Sequence, residues 1–81
     1  MDDHQISNQI GDLVAEEHAL RSRSVAEGGL SADERDRLAG IEVKLDQCWD
    51  LLRQRRAREE YGVNPDDAAV RPAAEVEGYQ Q

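Results

Sequence analysis

The chain has 81 residues, so it holds at most one small domain, and a domain of this size buries little surface and is only marginally stable unless something supports it. Its single cysteine excludes an internal disulfide, and its histidines and cysteine do not recur at the spacing of zinc ligands. Association with other helices is therefore the support that we expect. The formal net charge of −8 counts against direct binding of nucleic acid and of anionic membranes, because both require a basic surface.

The first residues do not predict a secretory signal peptide. The run Met1–His4 lacks the basic start and the apolar stretch of a signal peptide, and no later stretch approaches the length of a membrane span. With Cys48 as its one free thiol, the composition favours a cytoplasmic protein.

The first predicted element is an amphipathic helix from about residue 3 to about residue 26. Gly11 lies inside it and costs about 1 kcal/mol relative to alanine. We interpret it as a tolerated defect; the alternative is the close approach of a neighbouring helix. The apolar side chains recur four, three and seven residues apart, and so form one stripe: Ile6, Ile10, Leu13 and Leu20.

A helix stop and a helix start follow each other closely in the middle of the chain. Gly28 and Gly29 end the first helix well, because glycine readily takes a positive φ after the last turn. Ser31 and Glu34 then form a capping-box pattern, in which each side chain binds the other residue's backbone amide. Together these signals predict an antiparallel helical hairpin with a short loop.

The second predicted helix runs from about residue 32 to about residue 61, with Gly62 just past its end. Its apolar positions are spaced three, four, three and four residues apart, which is an uninterrupted heptad pattern: Leu38, Ile41, Leu45, Cys48 and Leu52. Residues 1–62 therefore predict an all-α fold, an antiparallel, coiled-coil-like helical hairpin.

Residues 63–81 predict a mostly irregular C-terminal tail. Asn64 before Pro65 is typical of a helix start, so we expect a short helical turn at 65–69. Pro72 and Gly78 argue against regular structure beyond that turn. Three larger side chains are available to anchor the tail against the hairpin: Val70, Val76 and Tyr79.

The apolar arc of the second helix is wider than one partner helix can cover. Trp49 and Leu51 lie on opposite flanks of the heptad stripe and widen the arc to about 160°. The excess predicts a homo-oligomer, with a dimer favoured, in which two hairpins form a four-helix bundle, or else binding to a larger protein. In the alternative, the tail folds back and covers Trp49 within one chain.

The one basic patch of this acidic chain consists of four arginines: Arg53, Arg55, Arg56 and Arg58. One interpretation is a docking site for an acidic or phosphorylated ligand, because guanidinium groups bind carboxylates and phosphates well. We favour the other, in which the arginines pair with neighbouring acids, including Asp2 and Asp3 that the antiparallel fold brings to the same end.

Glu17, His18 and Cys48 are the residues to weigh for metal or redox chemistry. Glu17 and His18 are contiguous and point in different directions, unlike the Glu-x-x-His pair of di-iron bundles. Cys48 occupies a core heptad position, where cysteine behaves as a small hydrophobic residue. There is also no glycine-rich phosphate loop and no Ser/His/Asp arrangement. We therefore expect no cofactor, no metal and no enzymatic activity.

Three stretches carry a family resemblance. Residues 45–57 read Leu-Asp-Gln-Cys-Trp-Asp-Leu-Leu-Arg-Gln-Arg-Arg-Ala, residues 13–18 read Leu-Val-Ala-Glu-Glu-His, and the tail carries Val-Arg-Pro at 70–72 and Val-Glu-Gly-Tyr at 76–79. Over nearly its whole length the chain resembles domain-of-unknown-function family 2630, a small and mostly actinobacterial family. The resemblance implies a stand-alone cytoplasmic protein of this length, and it assigns no activity.

The sequence thus predicts an interaction protein that self-associates, binds a larger protein, or does both. The alternative is a small regulatory protein that binds an acidic or phosphorylated ligand through residues 53–58. The candidate interaction residues are Trp49, Leu51, Arg53, Arg55, Arg56, Arg58 and Tyr79.

Overall fold

The computed structural model describes residues 2–78, and within that range the protein contains only helices and loops. Two long helices form an antiparallel pair, which confirms the predicted all-α hairpin. The elements are α1 (Asp3–Glu27), α2 (Ala32–Glu60), a single 3-10 turn (Pro65–Asp67) and α3 (Ala73–Gly78).

Side-chain caps fix where both long helices begin. At α1, the Asp2 carboxylate accepts a hydrogen bond from the Gln5 amide at 2.8 Å, and the Gln5 side chain accepts one from the Asp2 amide at 2.9 Å. At α2, Ser31 and Glu34 form the same reciprocal pair at 3.2 and 3.0 Å, as the sequence predicts. Each cap satisfies two backbone donors that an isolated helix end would leave without a partner.

The turn between the helices depends on glycine. Gly28 follows α1 with φ of 80°, in the left-handed region that other residues rarely adopt. The next amide, that of Gly29, donates to the Ser24 carbonyl at 2.8 Å and closes the last turn of α1. The chain therefore reverses within a few residues, and α2 packs back along α1.

One apolar core lies between α1 and α2. It contains all the stripe residues predicted for α1 and four of the five heptad residues predicted for α2, while Leu38 packs against it partly buried. The buried cluster consists of Ile6, Ile10, Leu13, Leu20, Ile41, Leu45, Cys48, Leu51 and Leu52. Ion pairs join the two helices outside this core, among them Arg21–Glu42 at 2.9 Å and Arg23–Glu34 at 3.2 Å.

The tail is more regular than the sequence predicts. The expected turn forms, over Pro65–Asp67 rather than 65–69, with Asn64 accepting from the Asp66 amide at 3.0 Å. The expectation of irregular structure beyond it is wrong at 73–78, because Pro72 immediately precedes α3 instead of interrupting it. Val76 on this short helix is only 1% exposed, so α3 is packed against the hairpin.

Candidate interaction surface

Asp50 on α2 is the centre of a polar clamp that holds the tail. Its side chain is 2% exposed, and its carboxylate accepts two hydrogen bonds from the Arg71 guanidinium, one of them from Nε at 2.8 Å. The amide of Gln54, one turn later on α2, donates to the same carboxylate at 2.9 Å. These hydrogen bonds, above all those from Arg71, lower the pKa of Asp50 below its usual range, although burial opposes the shift.

Two glutamines of α2 also bind the backbone of the tail. Gln54 Nε2 donates to the Ala69 carbonyl at 2.9 Å, and Gln47 Nε2 donates to the Arg71 carbonyl at 3.2 Å. Since residues 47, 50 and 54 are three and four apart, they lie on one face of α2. That face is occupied by the chain's own tail. We call Gln47, Asp50, Gln54 and Arg71 the tail clamp.

Arg55, one of the candidate interaction residues of the basic patch, has a structural role and does not face a ligand. Its side chain is buried, with Nε donating to Asp3 at 2.5 Å and Nη1 donating to Asp66 at 2.9 Å and to the Pro65 carbonyl at 3.1 Å. The bonds to Asp3 and Asp66 raise the pKa of Arg55 above its usual value, although burial opposes the shift. Arg55 therefore joins α1, α2 and the 3-10 turn, and its guanidinium is not displayed to a ligand. Its pairing with Asp3 agrees with the interpretation that we favoured.

The other three arginines of the patch separate onto different faces. Arg53 and Arg56 are exposed, whereas Arg58 is half-buried. At about 100° per residue, Arg58 points away from the side of α2 that carries Arg53 and Arg56. The predicted patch is thus reduced to two outward-facing cations.

Leu51 does not lie on an open flank, contrary to the prediction. It is 4% exposed and belongs to the core. The tail passes this side of α2, so Leu51 and Val70 both line a cavity of about 230 Å³ between the hairpin and the tail. The periodicity of the sequence places Leu51 at the edge of the apolar arc of α2. It contains no information on the path of the tail, which covers that edge.

Trp49 remains half open to solvent on the other flank. Its side chain is 47% exposed, so the tail does not cover it in the way that the alternative interpretation required. Val14 of α1 is likewise about half exposed. The remaining predicted interaction residue, Tyr79, lies outside the described residues.

A second heptad-spaced row runs along α2 through Trp49. Each of its members directly follows a buried residue of α2, so the row is rotated by about 100° from the face that packs on α1. We call this row the Trp49 stripe: Glu42, Asp46, Trp49, Arg53 and Arg56. Of these residues only Asp46 is partly buried, and the rest are exposed. The candidate interaction residues predicted from the sequence include Trp49 and the arginines but neither of the two acids; the heptad spacing is the signal that places the acids on the same row.

Cys48 lies at the core position that the heptad pattern predicts. It is buried in the core, and desolvation raises the pKa of its thiol, which disfavours the reactive thiolate. Glu17 forms an ion pair on its own helix, with its Oε2 atom 3.9 Å from Nη2 of Arg21. Across residues 2–78 no group of His, Cys, Asp and Glu side chains is arranged to hold a metal ion. No helix in this range is both long and apolar enough to cross a membrane.

The fold and this surface define a small α-helical hairpin protein whose C-terminal tail is tied to its second helix. The chain belongs to the family described as "Protein of unknown function (DUF2630)", whose model matches residues 2–81. It is similar to uncharacterized proteins of Mycobacterium bovis and of two strains of Mycobacterium tuberculosis, each 54% identical over 78 residues. Those matches cover 95% of this chain and 88% of each relative. No solved structure matches the chain.

Proposed function

We propose that this protein is a protein-interaction module that binds helices, either of a second copy or of a larger protein, through the Trp49 stripe. The observation that carries the proposal is the half-exposed Trp49 on a helix whose other faces are covered by α1 and by the tail. Tryptophan and arginine dominate the energetics of protein interfaces, and here Arg53 and Arg56 follow Trp49 on the same face.

The tail clamp supports this proposal because the docked tail covers part of α2 and leaves less of its surface open to a partner. Leu51, the other apolar flank, is already covered, and Arg55 is already paired within the chain. A partner that packs against the exposed face of α2 therefore meets one large apolar side chain, Trp49. The acidic residues of the Trp49 stripe precede it and the arginines follow it. The proposal assigns no catalytic activity, and with a single buried thiol it places the module in the cytoplasm.

Solution mass by light scattering, measured over a range of concentrations, tests self-association. Replacing Trp49 by alanine should weaken association by at least 2 kcal/mol, which is about 30-fold in dissociation constant. Tyr61→Ala is the matched control, because Tyr61 is an exposed aromatic residue just beyond α2 and off the stripe. Equal association of the two variants would contradict a role for Trp49.

Binding to a larger protein is tested by placing a photo-crosslinking side chain at position 49 or, as control, at position 61. A crosslinked product specific to position 49 is expected if a larger partner exists. The proposal fails if the wild type is monomeric and position 49 yields no specific product.

A second candidate function is binding of an acidic or phosphorylated ligand. It is favoured by Arg53 and Arg56, which are exposed and make no ion pair within residues 2–78. Such binding should weaken steeply as salt rises, because exposed charges are screened over about 8 Å at physiological ionic strength. Binding that survives high salt but is lost in Trp49→Ala would instead support helix packing.

A further inference from the structure

The Trp49 stripe has an ordered charge pattern. Going along α2, two acids come first, the indole lies in the middle, and two arginines follow. Glu42 lies seven residues before Trp49, and Arg56 lies seven residues after it. Asp46 and Arg53 lie three before and four after. The stripe is therefore nearly antisymmetric in charge about its central aromatic residue.

Such a pattern is complementary to itself when two copies run in opposite directions. A two-fold axis at Trp49 places Glu42 of one chain opposite Arg56 of the other, and it places Asp46 within one residue of Arg53. Each contact occurs twice, so four opposite-charge contacts surround a pair of indoles. A parallel arrangement would instead place every charge opposite an identical charge, which is unfavourable.

We propose that the partner of the Trp49 stripe is a second copy of this chain, bound with α2 antiparallel to α2 about Trp49. The inference rests on the proposed function and specifies its partner. Residues 42–56 advance about 21 Å along the helix axis, which is long enough for a helix-packing contact of several turns. Two hairpins joined in this way form a four-helix arrangement whose inner pair is the two α2 helices.

The surroundings of Asp46 agree with an approaching cation. The Asp46 carboxyl lies against that of Glu77 on α3, and this contact raises the pKa of Glu77. Two acids side by side are a like-charge pair that a guanidinium can neutralise. In the antiparallel dimer that guanidinium is Arg53 of the second copy. Glu42 is half exposed although it pairs with Arg21, so it can also accept a bond from the partner's Arg56.

Charge reversal with complementation tests the arrangement. One variant carries Arg53→Glu and Arg56→Glu, and the other carries Glu42→Arg and Asp46→Arg. Each alone should dissociate at least tenfold more readily than the wild type, because opposed ends then carry like charge. Mixed in equal amounts, the two variants should form a heterodimer that light scattering and native mass spectrometry detect.

Single-residue controls guard against loss of folding. Arg56→Glu should weaken the dimer, whereas Arg58→Glu should not, although both reverse one charge near the end of the same helix. Arg58 lies on the opposite side of α2 from the Trp49 stripe. Circular dichroism of each variant checks that helix content is retained.

The outcomes separate this inference from the proposed function. A wild type that is monomeric at every concentration overturns the second copy as partner, while a crosslink specific to position 49 would leave the proposed function standing. A wild-type dimer that withstands both charge reversals, or that mixing fails to restore, overturns the antiparallel register. A dimer unaffected by Trp49→Ala overturns both.

Discussion

Removal of Arg71 should release the tail more completely than removal of its partner, Asp50. Arg71→Ala deletes both guanidinium hydrogen bonds and leaves a carboxylate that is 2% exposed, with one bond from Gln54 remaining. Asp50→Ala leaves instead a guanidinium that is 31% exposed and can reach water. The two deletions break the same pair but leave behind groups in very different surroundings.

The expected magnitudes follow from that difference. Breaking a buried ion pair by removing one partner costs about 3–5 kcal/mol, and the bond from Gln54 places Arg71→Ala near 3 kcal/mol. Asp50→Ala should cost about 1.5–2 kcal/mol, as for a charge-assisted hydrogen bond whose other partner is rehydrated. Neither substitution can lower stability by more than the free energy with which the tail docks on the hairpin. Once the tail has undocked, Asp50 is hydrated and the cost does not increase further.

Native-state amide hydrogen exchange of α3 measures how far each substitution weakens the docking of the tail. A loss of 3 kcal/mol should accelerate exchange in Ala73–Gly78 by about 100-fold, and the smaller loss in Asp50→Ala by about tenfold to 30-fold. Exchange in the middle of α1 should change much less, and Arg35→Ala, which removes an exposed arginine near the start of the same helix, is a control. Equal acceleration in the two variants, or no change in α3, would refute the account of the clamp.

Three further predictions concern pH, glycine and the thiol. Asp50 stabilises the fold through its charged form, so the melting temperature should fall as the pH drops below about 3.9 and through the lowered pKa of Asp50. The fall should be smaller in Asp50→Asn. Glu77 has a raised pKa and stabilises the fold in its neutral form, so its contribution should disappear as the pH rises through that pKa. In urea denaturation, Gly11→Ala should raise the free energy of unfolding by about 0.5–1 kcal/mol, because no atom lies near the added Cβ. Gly28→Ala should lower it by about 1 kcal/mol, because Gly28 has a φ of 80°. The opposite signs would contradict the helix and turn assignments. Cys48 should react with an aromatic disulfide reagent about tenfold or more slowly in the native protein than in urea, and equal rates would show that its thiol is accessible.

The hairpin could be predicted because its signals are local. The Ser31–Glu34 cap and the two glycines before it lie within a few residues of one another, and the heptad spacing repeats every three or four residues, so each signal depends on residues that are close in sequence. All of them point to the same fold.

The tail clamp could not be predicted in the same way. It joins Asp50 to Arg71, which are 21 residues apart, and no periodicity links an arginine in a tail to a given helix face. The same limit explains why the sequence predicts an open flank at Leu51 and leaves ligand binding as an alternative for Arg55. Their partners, at the cavity and at Asp66, are fixed by the path of the tail. Trp49 was placed correctly as exposed because the tail takes the other side of α2.

The clamp also sets an order of events in folding. Gln47, Asp50 and Gln54 share a face only once α2 is helical, so the tail has no docking site until that helix exists. Hairpins of this kind have mostly local contacts and fold rapidly, whereas the tail must wait for them. Rapid-mixing experiments should therefore detect burial of the α1–α2 core before protection of α3. The segment that covers Leu51 should then be the last to form and the first to open, with a transition of its own within an otherwise continuous helical fold.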